Sequence, residues 1–138
     1  MAETIGRLIA EAGAVLITGG MGGAMAAASR GAQKAGGLVI GILPGSSARD
    51  ANPYVDIPIV TGMGNARNCV NILSSDAIIA VAGGYGTLSE IALALKCRKP
   101  VVKLRSWELE TVGCNDPLLH VAVSPEDAVR LALKLAEK

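Results

Sequence analysis

The sequence predicts an α/β fold, a mainly parallel sheet covered by helices on both faces, and three observations carry that prediction. Short apolar runs alternate with stretches of helical spacing along all 138 residues, the pattern of strands joined by right-handed crossovers. The run Asp76 to Ala82, DAIIAVA, is rich in Ile, Val and Ala and too short to span a membrane, as a strand buried on both faces should be. Hydrophobic residues make up 51% of the chain while aromatics make up 2% with no Phe, so one domain over 1–138 has an ample, aliphatic core.

Each element follows in order. Ile5, Leu8, Ile9 and Ala12 give Glu3–Ala12 an amphipathic helix that Gly13 stops. Ala14–Thr18 is a short strand, Gly23–Ala35 an Ala-rich helix ended by Gly36 and Gly37, and Leu38–Leu43 a strand closed by Pro44. Gly45–Pro53 is polar and loop-like, Val55–Val60 a strand near a sheet edge, and Ala66–Leu73 a helix with Arg67 in its first turn. After the strand that ends at Gly83 comes a helix to Leu95, then a strand over Pro100–Leu104, an irregular connection over Arg105–Leu118, and a last strand over His120–Val123. Ser124 as N-cap with Pro125 behind it starts the C-terminal helix.

Three glycine turns interrupt this pattern where strands end: Thr18 to Gly23, Thr61 to Asn65, and Gly83 to Gly86. Glycine lets the chain turn sharply and leaves amide N–H groups unobstructed. Thr87 followed three residues later by Glu90 has the form of a capping box, so a helix starts there. A strand, a glycine turn and a helix N-terminus make an anion cradle, worth ~0.3–2 kcal/mol to a bound negative charge. One such turn could serve packing alone. Two, at Gly19, Gly20, Gly22 and Gly23 and at Gly83, Gly84 and Gly86, suggest one extended, phosphate-bearing ligand beyond the C-terminal ends of the strands.

Composition excludes other partners. A net charge of +1 and an isoelectric point near 7.7, without a basic run, leave no footprint for nucleic acid or a membrane surface. Cys69, Cys97 and Cys114 form no CxxC pair, and read as buried thiols in a reducing compartment, the cytoplasm. Nothing between Met1 and Ile17 directs export, since Glu3 and Glu11 interrupt it.

Familiar motifs fail when checked. A GxGxxG dinucleotide fingerprint would need Gly where Met25 stands, and GxxxxGK[ST] is absent. No metal site is expected, because His120 is the chain's one His and has no ligand-spaced Cys or carboxylate beside it. The same residue, set among apolar neighbours, is a better structural histidine than a catalytic base.

Gly83-Gly84-Tyr85-Gly86-Thr87-x-x-Glu90 resembles the PGGxGTxxE signature of the proteins labelled "possible lysine decarboxylase", which include the cytokinin-activating phosphoribohydrolases. Arg67, eighteen residues before Tyr85, stands where that family has its catalytic arginine. Thr18–Met25 is similar to the family's first glycine turn and Val39–Pro44 to its VIGVIP strand, so the resemblance covers nearly the whole chain. It implies a Rossmann-like three-layer sandwich and a homo-oligomer, dimer or tetramer, with the helix Ala66–Leu73 as an interface. Ala82 replaces the signature's Pro, and Asn65-Ala66-Arg67-Asn68 replaces its MHxRK segment. With Thr61-Gly62-Met63-Gly64, these departures resemble the branch containing the molybdenum-cofactor carrier proteins. The family usually opens with a strand and a Gly-Ser loop before the helix matching Glu3–Ala12. This chain starts at that helix, so a shortened fold with two exposed sheet edges is expected.

Two functions follow from the resemblance. In the first, a carrier binds a nucleotide or the molybdenum cofactor through Gly19, Gly20, Gly22, Gly23, Met63, Gly83, Gly84, Tyr85, Gly86 and Thr87, with Arg67 on the phosphate. In the alternative, a nucleoside 5′-monophosphate phosphoribohydrolase uses Arg67 and Glu90 as catalytic residues, Arg67 holding the phosphate and Glu90 assisting water attack. Without a ligand role, Glu90 is a capping partner and Arg67 a surface or interface ion pair. Decarboxylation of lysine is excluded on chemistry: it needs a Schiff-base lysine, and Lys34, Lys96, Lys99, Lys103, Lys134 and Lys138 all read as surface positions.

Overall fold

The structure, a computed structural model, describes residues 1–109 and 115–137. They form two compact units, Met1–Asn71 and Ile72–Lys138.

In the first unit α1 (Ala2–Glu11) and α2 (Ala24–Lys34) lie against each other, and β1 (Leu16–Thr18), β2 (Val39–Leu43) and β3 (Ile57–Val60) form a parallel sheet in that order. The helices approach closely because glycine stands at both crossing points. A Cβ on Gly6 would sit 1.9 Å from the carbonyl oxygen of Ala28, and one on Gly31 2.0 Å from that of Glu3. The Glu3 carboxylate then accepts from Arg30 at 2.6 Å and Lys34 at 3.2 Å. Leu16, Ala32 and Val39 are buried between helices and sheet, with Ile9, Ala10 and Ala28 packed on them. β3 is an edge strand, as its sequence suggested, and all four of its residues are exposed.

The second unit repeats the pattern with β4 (Ile78–Val81), α4 (Tyr85–Lys96), β5 (Val101–Leu104), β6 (Leu119–Val121) and α5 (Pro125–Ala136). Its sheet is parallel in the order β4-β5-β6. β5 is central, and all four of its residues are buried. Ala80, Ile91, Ala94 and Val101 form the core, an aliphatic cluster with Trp107 at its margin. The Ser124 hydroxyl accepts from the Asp127 N–H at 3.1 Å, the N-cap read from the sequence.

α3 (Arg67–Ser74) starts directly after a 3₁₀ turn over Gly64–Ala66, at the end of the first unit. Among the described residues β1 is paired with β2 and β4 with β5.

Two corrections concern side chains. Cys69 and Cys97 are exposed rather than buried, because they fall on the outward side of α3 and just past α4; Cys114 lies outside the described residues. Lys103 is not a surface residue. It is 5% exposed, since every side chain of central strand β5 points into covered space. Lys138 lies outside the described residues.

Candidate functional site

The first glycine turn follows β1. Gly20 has φ +74°, where a side chain is strained, and a Cβ there would meet Leu43 Cδ2 at 2.6 Å, so only glycine lets the turn pass β2. Asn52 holds the turn open: its backbone N–H donates to the Gly20 carbonyl at 2.8 Å and its side-chain amide to the Met21 carbonyl at 2.9 Å. Carbonyls are thereby engaged on one side. On the other, Gly22 and Gly23 are exposed with nothing near the positions their Cβ atoms would take. α2 begins here on Gly23, which supplies no side-chain cap, so the first-turn N–H groups of the helix have no acceptor from it.

The glycine turn over Thr61–Asn65 positions a cation on this cradle. Gly62 and Gly64, at φ +62° and +58°, fold the chain back, and their N–H groups donate to Gly45 and Pro44 carbonyls, both at 2.9 Å. Thr61 Oγ1 donates to the Leu43 carbonyl at 2.6 Å and accepts from the Met63 N–H at 3.2 Å. Met63 itself is 48% exposed and engages the turn through its backbone. With the turn pinned to the end of β2, α3 starts at Arg67, and the Arg67 guanidinium lies against Gly19. A Cβ on Gly19 would sit 2.0 Å from Nη1 of Arg67 and 2.7 Å from its Cζ. Arg67 Nε is buried and has no hydrogen-bond partner among the described residues. A guanidinium this deep ordinarily pairs with a carboxylate or phosphate, because leaving a buried charged donor unmet costs about 1–3 kcal/mol or more. The ion-pair explanation of Arg67 therefore finds no partner among the described residues.

The second unit has its own glycine turn, after β4. Here the capping box is overturned: α4 starts at Tyr85 on the N-cap Gly84, so Thr87 stands inside the first turn and Glu90 in the second. Gly84 takes the N-cap position, so the helix begins two residues before Thr87. Glu90 is half-buried and makes contacts of its own, while Thr87 packs against Gly83, whose added Cβ would meet Thr87 Cβ at 2.9 Å.

Sequence reasoning missed the segment that lies on this turn. Ser106 Oγ donates to the Ala82 carbonyl at 2.6 Å and Trp107 Nε1 to the Gly84 carbonyl at 3.1 Å. Lys103 Nζ, buried in β5, donates to the Trp107 carbonyl at 3.1 Å and to Glu108 at 2.8 Å, holding the segment in place. The Trp107 ring stacks on Tyr85, centroids 5.9 Å apart and planes inclined by 28°. Ala82, Gly83, Arg105, Ser106 and Trp107 line an open depression of ≈ 330 Å³. Ala82 and Arg105, at the ends of paired strands β4 and β5, adopt φ +52° and +49°. For side-chain-bearing residues such backbone costs about 1–2 kcal/mol each, and strain of this kind collects at functional sites. The one available signal was that Trp107 is the single Trp in an aromatic-poor chain.

Comparison with known proteins agrees with the fold. The model of the SLOG cluster4 family, LDcluster4, matches residues 1–129. An uncharacterized protein of Archaeoglobus fulgidus is 53% identical over 138 residues, covering 100% of this chain and 87% of that protein. The molybdenum cofactor binding protein of the phototrophic bacterium Rippkaea orientalis superposes with a TM-score of 0.85 at 46% identity, over 97% of this chain and 85% of its own. The molybdenum cofactor carrier protein of Chlamydomonas reinhardtii gives a TM-score of 0.85 at 41% identity, over 100% and 88%. No helix among the described residues is long and apolar enough to cross a membrane.

Proposed function

We propose, from the premise that the chain belongs to the SLOG cluster4 family, that it is a carrier that binds a phosphate-bearing small molecule, a molybdopterin-type cofactor or a nucleotide, as cargo. The observation that carries this reading is the Arg67 guanidinium, laid over Gly19 with a buried Nε that no group among the described residues satisfies. A phosphate matches that donor set. Arg67 presents a planar fork to its oxygens, and the N–H groups of the glycine turn and of the start of α2 add the favourable end of a helix dipole. The bound cofactor supplies the pterin and metal chemistry; the chain's own residues hold its phosphate and keep the site open. The two solved neighbours, a molybdenum cofactor binding protein and a molybdenum cofactor carrier protein, support the same cargo.

The reading includes a cytoplasmic location and a homo-oligomer, dimer or tetramer; the oligomer is supported by the exposed apolar residues Ile57, Ile59 and Val60 on β3 and Leu73 on α3. Isothermal titration with pyrophosphate tests the site. Saturable binding lost in Arg67→Ala supports it, and equal binding in that variant refutes it.

The alternative is hydrolysis of a nucleoside 5′-monophosphate, with Glu90, which stands in the second turn of α4 and makes contacts of its own, assisting water attack. Release of free base from a monophosphate, abolished by Glu90→Gln, would select this reaction over carriage.

A further inference from the structure

We infer that Tyr85 and Trp107 form a stacking platform for the planar fused heteroaromatic ring of a ligand, a pterin or a purine, beside the Arg105–Ser106 depression. The inference rests on the proposed cargo and assigns the residues that would recognise its ring. Tyr85 is 82% exposed, yet it is ordered by stacking on Trp107 rather than left as a loose surface ring. Trp107 is itself fixed at both ends, by its indole N–H on the Gly84 carbonyl and by Lys103 Nζ on its own carbonyl. Burying a lysine to hold this segment is costly; the segment lies on the glycine turn and Tyr85, with Trp107 and Leu109 also packed against the margin of the core. The arrangement leaves the outer face of Tyr85 open next to a depression of ≈ 330 Å³, with the polar groups of Ser106 and Arg105 at its wall. Rigid aromatic pairs that present an open π-face take up further flat rings with little ordering cost. A ring edge that reached the depression would meet hydrogen-bond donors there.

Trp107 is the chain's single Trp, so its emission reports this site alone. Wild-type protein is titrated with neopterin, a pterin without phosphate, and separately with guanosine, with inner-filter correction; pyrophosphate binding is measured on the same sample. Saturable quenching is expected, weakened at least tenfold in Tyr85→Ala and restored in Tyr85→Phe, whose ring still stacks. Circular dichroism confirms that the variants fold, which the exposure of Tyr85 favours. Quenching by neopterin alone assigns a pterin ring, and quenching by guanosine alone a purine ring. Absence of quenching, or quenching unchanged in Tyr85→Ala, overturns the platform. If pyrophosphate still binds through Arg67 in that case, the carrier reading stands without it; if pyrophosphate also fails, the carrier reading falls with it.

Discussion

The Arg67 guanidinium rests directly on the backbone of Gly19, so closely that a Cβ at position 19 would fall 2.0 Å from Nη1. The contact makes the glycine turn and the arginine one device, since the space Arg67 occupies exists only while residue 19 has no side chain. Gly19→Ala is expected to push Arg67 away and weaken pyrophosphate binding about tenfold or more, as loss of a charge-assisted bond does. Arg67→Ala should weaken it similarly, and the double variant no further. Titration calorimetry on the four proteins reads this coupling, and full additivity would show that the two residues act separately.

The α1–α2 crossing is the tightest packing in the first unit. Gly6→Ala and Gly31→Ala each place a methyl group within 2.0 Å of a backbone carbonyl oxygen, which cannot move without shifting a helix. Each is expected to destabilise by about 1–3 kcal/mol, the ordinary cost of overpacking, seen as a lower urea midpoint. Gly22→Ala is the control, because nothing lies within 4 Å of its added Cβ.

Ala82 sits at φ +52°, in backbone that proline cannot adopt. Ala82→Gly should raise stability by ~0.5–1 kcal/mol by relieving that strain. Ala82→Pro, although it restores the residue of the resembled signature, should cost about 3 kcal/mol or more, since it also removes the Ala82 N–H donated to Leu104. Urea unfolding followed by Trp107 emission measures both, and a neutral proline variant would mean the turn tolerates the signature's geometry.

Acid stability is expected to depend in part on two half-buried, ion-paired carboxylates. Hydrogen bonds from Arg30 and then Lys34 hold Glu3 below its ordinary 4.5, and hydrogen bonds from Arg130 and then the Val123 N–H hold Asp127 below its ordinary 3.8. With folded values depressed, their stabilisation is complete above those ordinary values and disappears as pH falls through the lower, folded ones. Melting temperature should therefore fall progressively on acidification below pH 4.5. Glu3→Gln should flatten the upper part of that fall and Asp127→Asn the lower, each modestly, because both pairs are solvent-screened. An unchanged acid profile in both variants would show that other carboxylates govern it.

Sequence alone determined the strands, the helices and the sites of the three turns, because each depends on neighbours within a few residues. The spacing of Ile5, Leu8 and Ile9, the Ser124-Pro125 start and the glycines after β1, β3 and β4 act locally, and all these elements stand within two or three residues of their predicted bounds. It also singled out Arg67 and Tyr85. Tertiary structure decided what those residues touch. The contact of Arg67 with Gly19 closes a loop of nearly fifty residues, and Trp107 reaches the Gly84 carbonyl from 23 positions away. Neither leaves a periodic trace in the chain. Lys103 shows the same limit: a lysine reads as surface, yet a central strand covered on both faces takes its side chain inward, where Glu108 and the Trp107 carbonyl satisfy it. Local pattern fixes backbone direction, whereas burial and partnership depend on which distant segments the sheet order brings alongside.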